Sequence, residues 1–264
     1  MIITLKGQTA IVTGAASGIG KGIATGLAES DANVVVADLN HDGAKAAADE
    51  IAAKSHVRTL AVKVDVTKKS DVTAMAERVV AEFGRIDILV NNAGIAPAFT
   101  LPDFPEEKWD LAINVNLKGY FLCGQAVTPQ MIRQRRGAII NVSSKTGVRG
   151  SANNSAYNAS KFGVIGLAQG WCRELAKHNI RVNSILPGNV LQGSGIWNDA
   201  YKRECAGKLG IKPEEVEDYY NKQVPLGRQC TVEDIANLVV FLVSDKASYI
   251  TGVSYLVDGG QEMR

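Results

Sequence analysis

Tyr157 and Lys161 stand four residues apart at the start of a helical run, AYNASKFGVIGLAQG, so both side chains leave one face of the helix. An ammonium beside a phenol favours the phenolate. Moving a tyrosine from its usual pKa of about 10 towards 7 takes on the order of 4 kcal/mol of differential stabilisation, within reach of a close cation and one further positive charge. Such a phenolate takes a proton from an alcohol, and the phenol returns one to a ketone. Ser143 and Ser144 follow the strand-like run INVSS, and a hydroxyl at that edge holds the oxygen of the reacting carbon.

A second group of residues is suited to a dinucleotide. Thr13 to Gly20 reads TGAASGIG, directly after a β-branched run and directly before a helix. Gly14, Gly18 and Gly20 are spaced for a tight turn and close approach to a pyrophosphate. Ser17 and Ile19 share that turn, and the helix start offers unpaired N–H groups to the anion. Asp38 closes the second strand 18 residues beyond Gly20, where a carboxylate accepts hydrogen bonds from ribose hydroxyls and repels a 2′-phosphate. Neither Arg nor Lys stands in the glycine turn or between Asp38 and Lys45, so NAD is expected rather than NADP. Asp65 and Val66 end a third strand, and Asn91, Asn92, Ala93 and Gly94 end a fourth. In an open parallel sheet all these points share the carboxyl edge, where ligands bind.

The elements that position these residues are legible as alternation. Short apolar runs fall at Thr9 to Thr13, Asn33 to Asp38, Thr59 to Val64, Asp87 to Asn91, Ala138 to Val142, Arg181 to Leu186 and Ser254 to Val257. Helical patterns separate them, among them Gly18 to Glu29, Asp42 to Lys54, Ser70 to Phe83 and Ala156 to Lys177. This alternation predicts an α/β fold, a single-domain doubly wound (Rossmann) parallel seven-stranded sheet with helices on both faces, over residues 1–264. One stretch departs from it. Residues 188–223 open glycine-rich, turn helical and restart at Pro213, which predicts an insertion acting as a substrate lid.

Composition narrows the function classes. The 29 basic and 27 acidic residues carry no long like-charge block, which excludes a nucleic-acid footprint. Cys123, Cys172, Cys205 and Cys230, with His41, His56 and His178, match no metal-ligand spacing, so no metal site is expected and the thiols read as reduced. With neither a leader pattern at MIITLKGQTAIVTG nor a run of 18 apolar residues, a cytoplasmic protein without membrane contact is expected.

Taken in order, TGAASGIG, Asp38, NNAG, Asn114, Ser143, YNASK and Pro187-Gly188 resemble the short-chain dehydrogenase/reductase family across essentially the whole chain. The resemblance implies an NAD-dependent dehydrogenase in which Ser143, Tyr157 and Lys161 form the catalytic group and Asn114 holds a relay water. It implies that Lys161 grips the nicotinamide ribose, that Asn91 and the backbone of Ala93 and Gly94 shape the cofactor cleft, and that Pro187, Gly188 and Val190 continue it. A homotetramer is implied as well. Within the family, GYFLCGQ, KLGIKPEEVEDYYNKQVPL and KASYITGVSYLVDGGQEM are similar to polyol dehydrogenases. The substrate that this implies is a polyol or polyol phosphate, first of all sorbitol 6-phosphate going to fructose 6-phosphate. An unphosphorylated polyol or small diol, a non-redox dinucleotide-binding regulator, and a dehydratase or epimerase are the alternatives. A sugar-alcohol phosphate needs cationic partners, for which Lys145 and Arg149 are candidates, with Asn154 beside them. Asn189, Gln192 and Trp197 of the insertion are candidates to close over the substrate.

Overall fold

A computed structural model describes residues 3–191 and 199–262. The apolar runs form β1 (Thr9–Thr13), β2 (Asn33–Asp38), β3 (Thr59–Lys63), β4 (Ile88–Asn91), β5 (Gly137–Val142), β6 (Ile180–Pro187) and β7 (Ser254–Val257). They lie in one sheet of order β3-β2-β1-β4-β5-β6-β7, with every neighbouring pair parallel. The helices are α1 (Gly18–Glu29), α2 (His41–Ser55), α3 (Lys69–Phe83), α4 (Glu106–Ile113), α5 (Gly119–Gln134), α6 (Ser155–Leu175), α7 (Asp199–Leu209), α8 (Val216–Asn221) and α9 (Val232–Val243).

Strand periodicity divides the core into two layers. Ala10, Val12, Val34, Val36, Ile88 and Val90 face α1, α2 and α9, and Ile11, Val35, Ala37, Leu89 and Ile139 face α3, α5 and α6. Every residue of β1 and β5 is buried, as a strand covered on both faces requires. The edge strand β7 is only half-buried.

Local chemistry fixes several helix starts. Asn40 caps α2 by accepting from the Gly43 N–H at 3.1 Å. Thr231 and Asp234 exchange hydrogen bonds of 3.1 and 2.9 Å as a capping box on α9. Between α4 and α5, Asn114–Lys118 form one turn of π-helix, a distortion that shifts which side chains face the sheet. In the 188–223 stretch, a 3-10 turn at Pro213–Glu215 leads into α8, and Cys205, Ala206 and Val216 gather in a small cluster of their own with Ile211 and Tyr220. Among the described residues no helix is long and apolar enough to cross a membrane, and no cluster of His, Cys, Asp or Glu is disposed to hold a metal. All four cysteines are free thiols.

Candidate active site

The strand order reverses between β1 and β4, and the crevice at their carboxyl ends is where a doubly wound sheet binds a ligand. Gly14 has φ +65° and its missing Cβ would stand 2.7 Å from the Ala93 Cα, so any side chain there would push the two turns apart. A Cβ on Gly20 would strike the Gly14 carbonyl oxygen. Asn92 stitches the crevice together: its Nδ2 donates to the Thr13 and Gly14 carbonyls at 3.0 Å each. The Thr13 hydroxyl in turn accepts from the Asn92 and Ala93 N–H groups at 3.0 and 3.2 Å. Ser17, the N-cap of α1, makes no side-chain capping bond and the first turn carries no acidic residue. The helix start at Gly18, Ile19 and Gly20 is therefore disposed towards an anion.

Asp38 ends β2 with one carboxylate oxygen on the Ala16 N–H at 3.0 Å and the other on the Asn40 N–H at 2.9 Å. Each oxygen keeps a lone pair for a further donor. Asp65 is engaged locally, accepting from the Thr67 hydroxyl at 2.7 Å and its N–H at 3.0 Å, and the hydroxyl bond first of all holds its carboxyl below the ordinary range. Val66 is buried against Gly119 at the head of α5. Pro187 pairs with Val257, Gly188 packs on Asp258, and the Val190 side chain is buried in the core. Asn189 holds a buried Nδ2 without a hydrogen-bond partner, an orphaned donor at the crevice end of β6. Open helix N–H groups, a turn that excludes side chains, a strand-end carboxylate and an orphaned amide fit a dinucleotide.

Asn91 departs from its expected place. Its side chain is fully buried and its Nδ2 donates to Asn141 Oδ1 at 2.9 Å, inside the sheet rather than towards the crevice. Strand alternation turns consecutive side chains to opposite faces, and Asn92 is the residue that reaches the glycine turn.

At the reacting end, α6 brings Tyr157 and Lys161 to one face, as their spacing requires. Of the two serines, Ser144 is the one whose hydroxyl acts on the Tyr157 phenol, favouring its ionised form. Ser143 is buried and donates to the Lys161 carbonyl at 2.8 Å, which ties β5 to α6. The asparagine that reaches this region is Asn116, not Asn114. Asn116 is buried, accepts from the Ile95 N–H at 2.8 Å, and donates to the Ile95 carbonyl at 2.8 Å and the Ser160 hydroxyl at 3.1 Å. A Cβ on Gly94 would lie 3.3 Å from Asn116 Oδ1 and 3.6 Å from Lys161 Nζ, so these groups are neighbours. The Asn114 carbonyl is taken by the Gly119 N–H of the π-turn.

Burial governs the charges. It pushes the Tyr157 phenol above its ordinary value, with the Ser144 hydroxyl acting in the opposite sense, and it pulls Lys161 down to about 7. The expected depression of the phenol is therefore not met in the protein alone. Lys161 Nζ sits over the Tyr157 ring, 5.6 Å from its centroid, and donates instead to the Val142 carbonyl at 2.8 Å and the Tyr120 hydroxyl at 3.3 Å.

On the loop before α6, Lys145 is not a solvated charge. Its Nζ donates to Gln261 Oε1 at 2.8 Å, and desolvation draws its pKa down. Arg149 pairs with both oxygens of Glu262 at 3.1 Å. Asn154 turns back on its own loop, donating to the Ser151 hydroxyl at 2.9 Å. Gln192 and Trp197 lie outside the described residues.

Comparison with known proteins identifies the family. A family model described as "Enoyl-(Acyl carrier protein) reductase" matches residues 14–262. The chain is 43% identical over 257 residues to a 3-oxoacyl-(acyl-carrier-protein) reductase of Staphylococcus epidermidis, covering 97% of this chain and 99% of that one. The crystal structure of sorbitol-6-phosphate 2-dehydrogenase from Erwinia amylovora superposes with a TM-score of 0.93 at 42% identity, covering 97% of this chain and 100% of that one. A crystal structure of NAD+-bound xylitol dehydrogenase gives 0.89 at 33% identity, covering 97% and 99%. The chain is a member of the short-chain dehydrogenase/reductase family, an oxidoreductase acting on CH–OH groups.

Proposed function

We propose that the protein interconverts a secondary alcohol of a sugar alcohol and its ketose with NAD, and that sorbitol 6-phosphate and fructose 6-phosphate are the pair. The observation that carries the reaction is Lys161 Nζ over the Tyr157 ring, 5.6 Å from its centroid and one helical turn on, with the Ser144 hydroxyl acting on the same phenol. When bound, NAD+ supplies the acceptor for the hydride leaving the carbinol carbon. Tyr157, as phenolate, takes the hydroxyl proton. Ser144 donates to the carbinol oxygen and holds it in line, and Asn116 braces the segment after β4 against α6 through Ile95 and Ser160. The carboxylate of Asp38 supports NAD over NADP.

Lys145 and Arg149 support a phosphorylated substrate, since both sit within a few residues of Ser144 and both hold acceptors that a dianion can replace. A second reading, reduction of a 3-oxoacyl thioester, is favoured by the 43% identical relative. Following absorbance at 340 nm separates the readings. Sorbitol 6-phosphate, sorbitol and xylitol are offered with NAD+, and a 3-oxoacyl thioester with NADH and NADPH. Greatest catalytic efficiency on sorbitol 6-phosphate is expected; turnover of the thioester alone would replace this assignment with the second. The active form is a homotetramer in this reading, supported by the exposed Leu111, Phe121 and Phe162 on consecutive helices α4 to α6, and sedimentation velocity tests it.

A further inference from the structure

Lys161 is almost fully buried, and its Nζ has two acceptors, the Val142 carbonyl at 2.8 Å and the Tyr120 hydroxyl at 3.3 Å. Tyr120, on α5, is buried as well, and its O–H donates to the same Val142 carbonyl at 3.0 Å. With its proton committed there, the Tyr120 oxygen offers Lys161 only lone pairs, and the carbonyl has one lone pair for each of its two donors. Nζ also lies 5.3 Å from the Tyr120 ring centroid and 5.6 Å from that of Tyr157. An oxygen that only accepts, a carbonyl and the aromatic ring of Tyr157 all favour the ammonium over the amine.

We propose that Tyr120 is a positioning residue which seats the Lys161 ammonium on the floor of the cleft and so sets the pH at which Tyr157 works as a base. The proposal rests on the reading of Tyr157 as that base. Burial alone draws Lys161 down to about 7, so the seat decides how much positive charge Tyr157 meets at working pH. The titratable groups that face Lys161 are few. From α5 comes Tyr120, itself beside Cys123, whose thiol is pushed up to about 12 by burial and stays neutral, and from its own helix comes Tyr157. The end of β5 contributes Val142 and Ser143, the segment after β4 contributes Gly94 and the π-turn contributes Asn116, none of which titrates.

Tyr120→Phe removes the hydroxyl and keeps the ring. Loss of an acceptor lowers the pKa of Lys161, leaves less positive charge beside Tyr157 and raises the pH at which the phenolate forms. The kcat/KM profile for alcohol oxidation is expected to move to higher pH by at least about half a unit. In the protein without cofactor, the 15N-NMR titration midpoint of Lys161 Nζ is expected to fall. Midpoint and profile both unmoved would overturn the proposal, and so would either moving in the opposite direction. Should the variant not fold, 4-fluorophenylalanine incorporated at position 120 keeps the volume, cannot ionise and offers only a weaker acceptor, and is expected to give smaller shifts of the same sign; no shift overturns it equally. An active Tyr157→Phe variant would instead remove the underlying reading of the base.

Discussion

The Asp38 carboxylate accepts the Ala16 N–H at 3.0 Å, so the end of β2 and the glycine turn close on one site. A dinucleotide whose phosphates meet the turn brings its ribose to Asp38. NAD+ should then be preferred over NADP+ at least tenfold, because a carboxylate facing a phosphate without a cation costs more than about 1.4 kcal/mol. Asp38→Ala should erode that preference, mainly by improving NADP+. Equal kcat/KM for both cofactors in the unmodified protein would contradict the role of Asp38.

Ser143 and Ser144 are adjacent and should respond differently. Ser144→Ala removes the hydroxyl that acts on Tyr157 and is expected to lower kcat about a hundredfold, with about 0.5 kcal/mol of stability lost with its cap on the Thr146 N–H. Ser143→Ala removes a buried bond to the Lys161 carbonyl and should cost about 1 kcal/mol of stability with only a few-fold loss of kcat. The reverse pattern of kcat and urea midpoints would return the catalytic assignment to Ser143.

Most of the sheet and much of the site are legible in the sequence. β1, β2, β4 and β5 are β-branched runs buried on both faces, and the glycine turn announces itself by the spacing of Gly14, Gly18 and Gly20. The departures fall where one or two residues decide which way a side chain turns. INVSS offers two serines on opposite faces of a strand end, NNAG two asparagines in the same position, and INVNLKG two asparagines across a π-turn that no local pattern signals. Tyr120 escapes notice in the sequence because an aromatic in an apolar helix reads as core. The partners of Lys145 and Arg149 lie more than a hundred residues away at Gln261 and Glu262, a distance that no spacing rule spans.

Those partners set up a test of the substrate. To bind phosphate, Lys145 must leave Gln261, and it gains a charge-assisted pair in exchange. Lys145→Ala should raise KM for sorbitol 6-phosphate at least about tenfold and leave that for sorbitol within twofold. An equal effect on both substrates, or none on either, points to an unphosphorylated polyol.

Burial of Lys161 also makes stability depend on pH. Its folded pKa, about 7, lies below the unfolded value of about 10.4, so between them the unfolded chain holds more protons and stability rises with pH by up to about 1.4 kcal/mol per unit. Above about 8.5 the buried thiols Cys123 and Cys230, raised to about 12 and about 11, work in the opposite sense, which confines the clean window to pH 7 to 8.5. Lys161→Met should lose this slope in urea unfolding of the cofactor-free protein at fixed concentration. Parallel slopes in variant and parent would show that Lys161 stays charged in the folded state.

That Tyr157 carries the proton is tested by kcat of Tyr157→Phe at 340 nm with the NADH dissociation constant determined on the same preparation. The phenyl ring keeps the packing of α6 and loses only the hydroxyl. A fall in kcat of about two decades or more is expected, with NADH affinity within a few-fold of the parent. Turnover near that of the parent, with NADH bound as before, would contradict it.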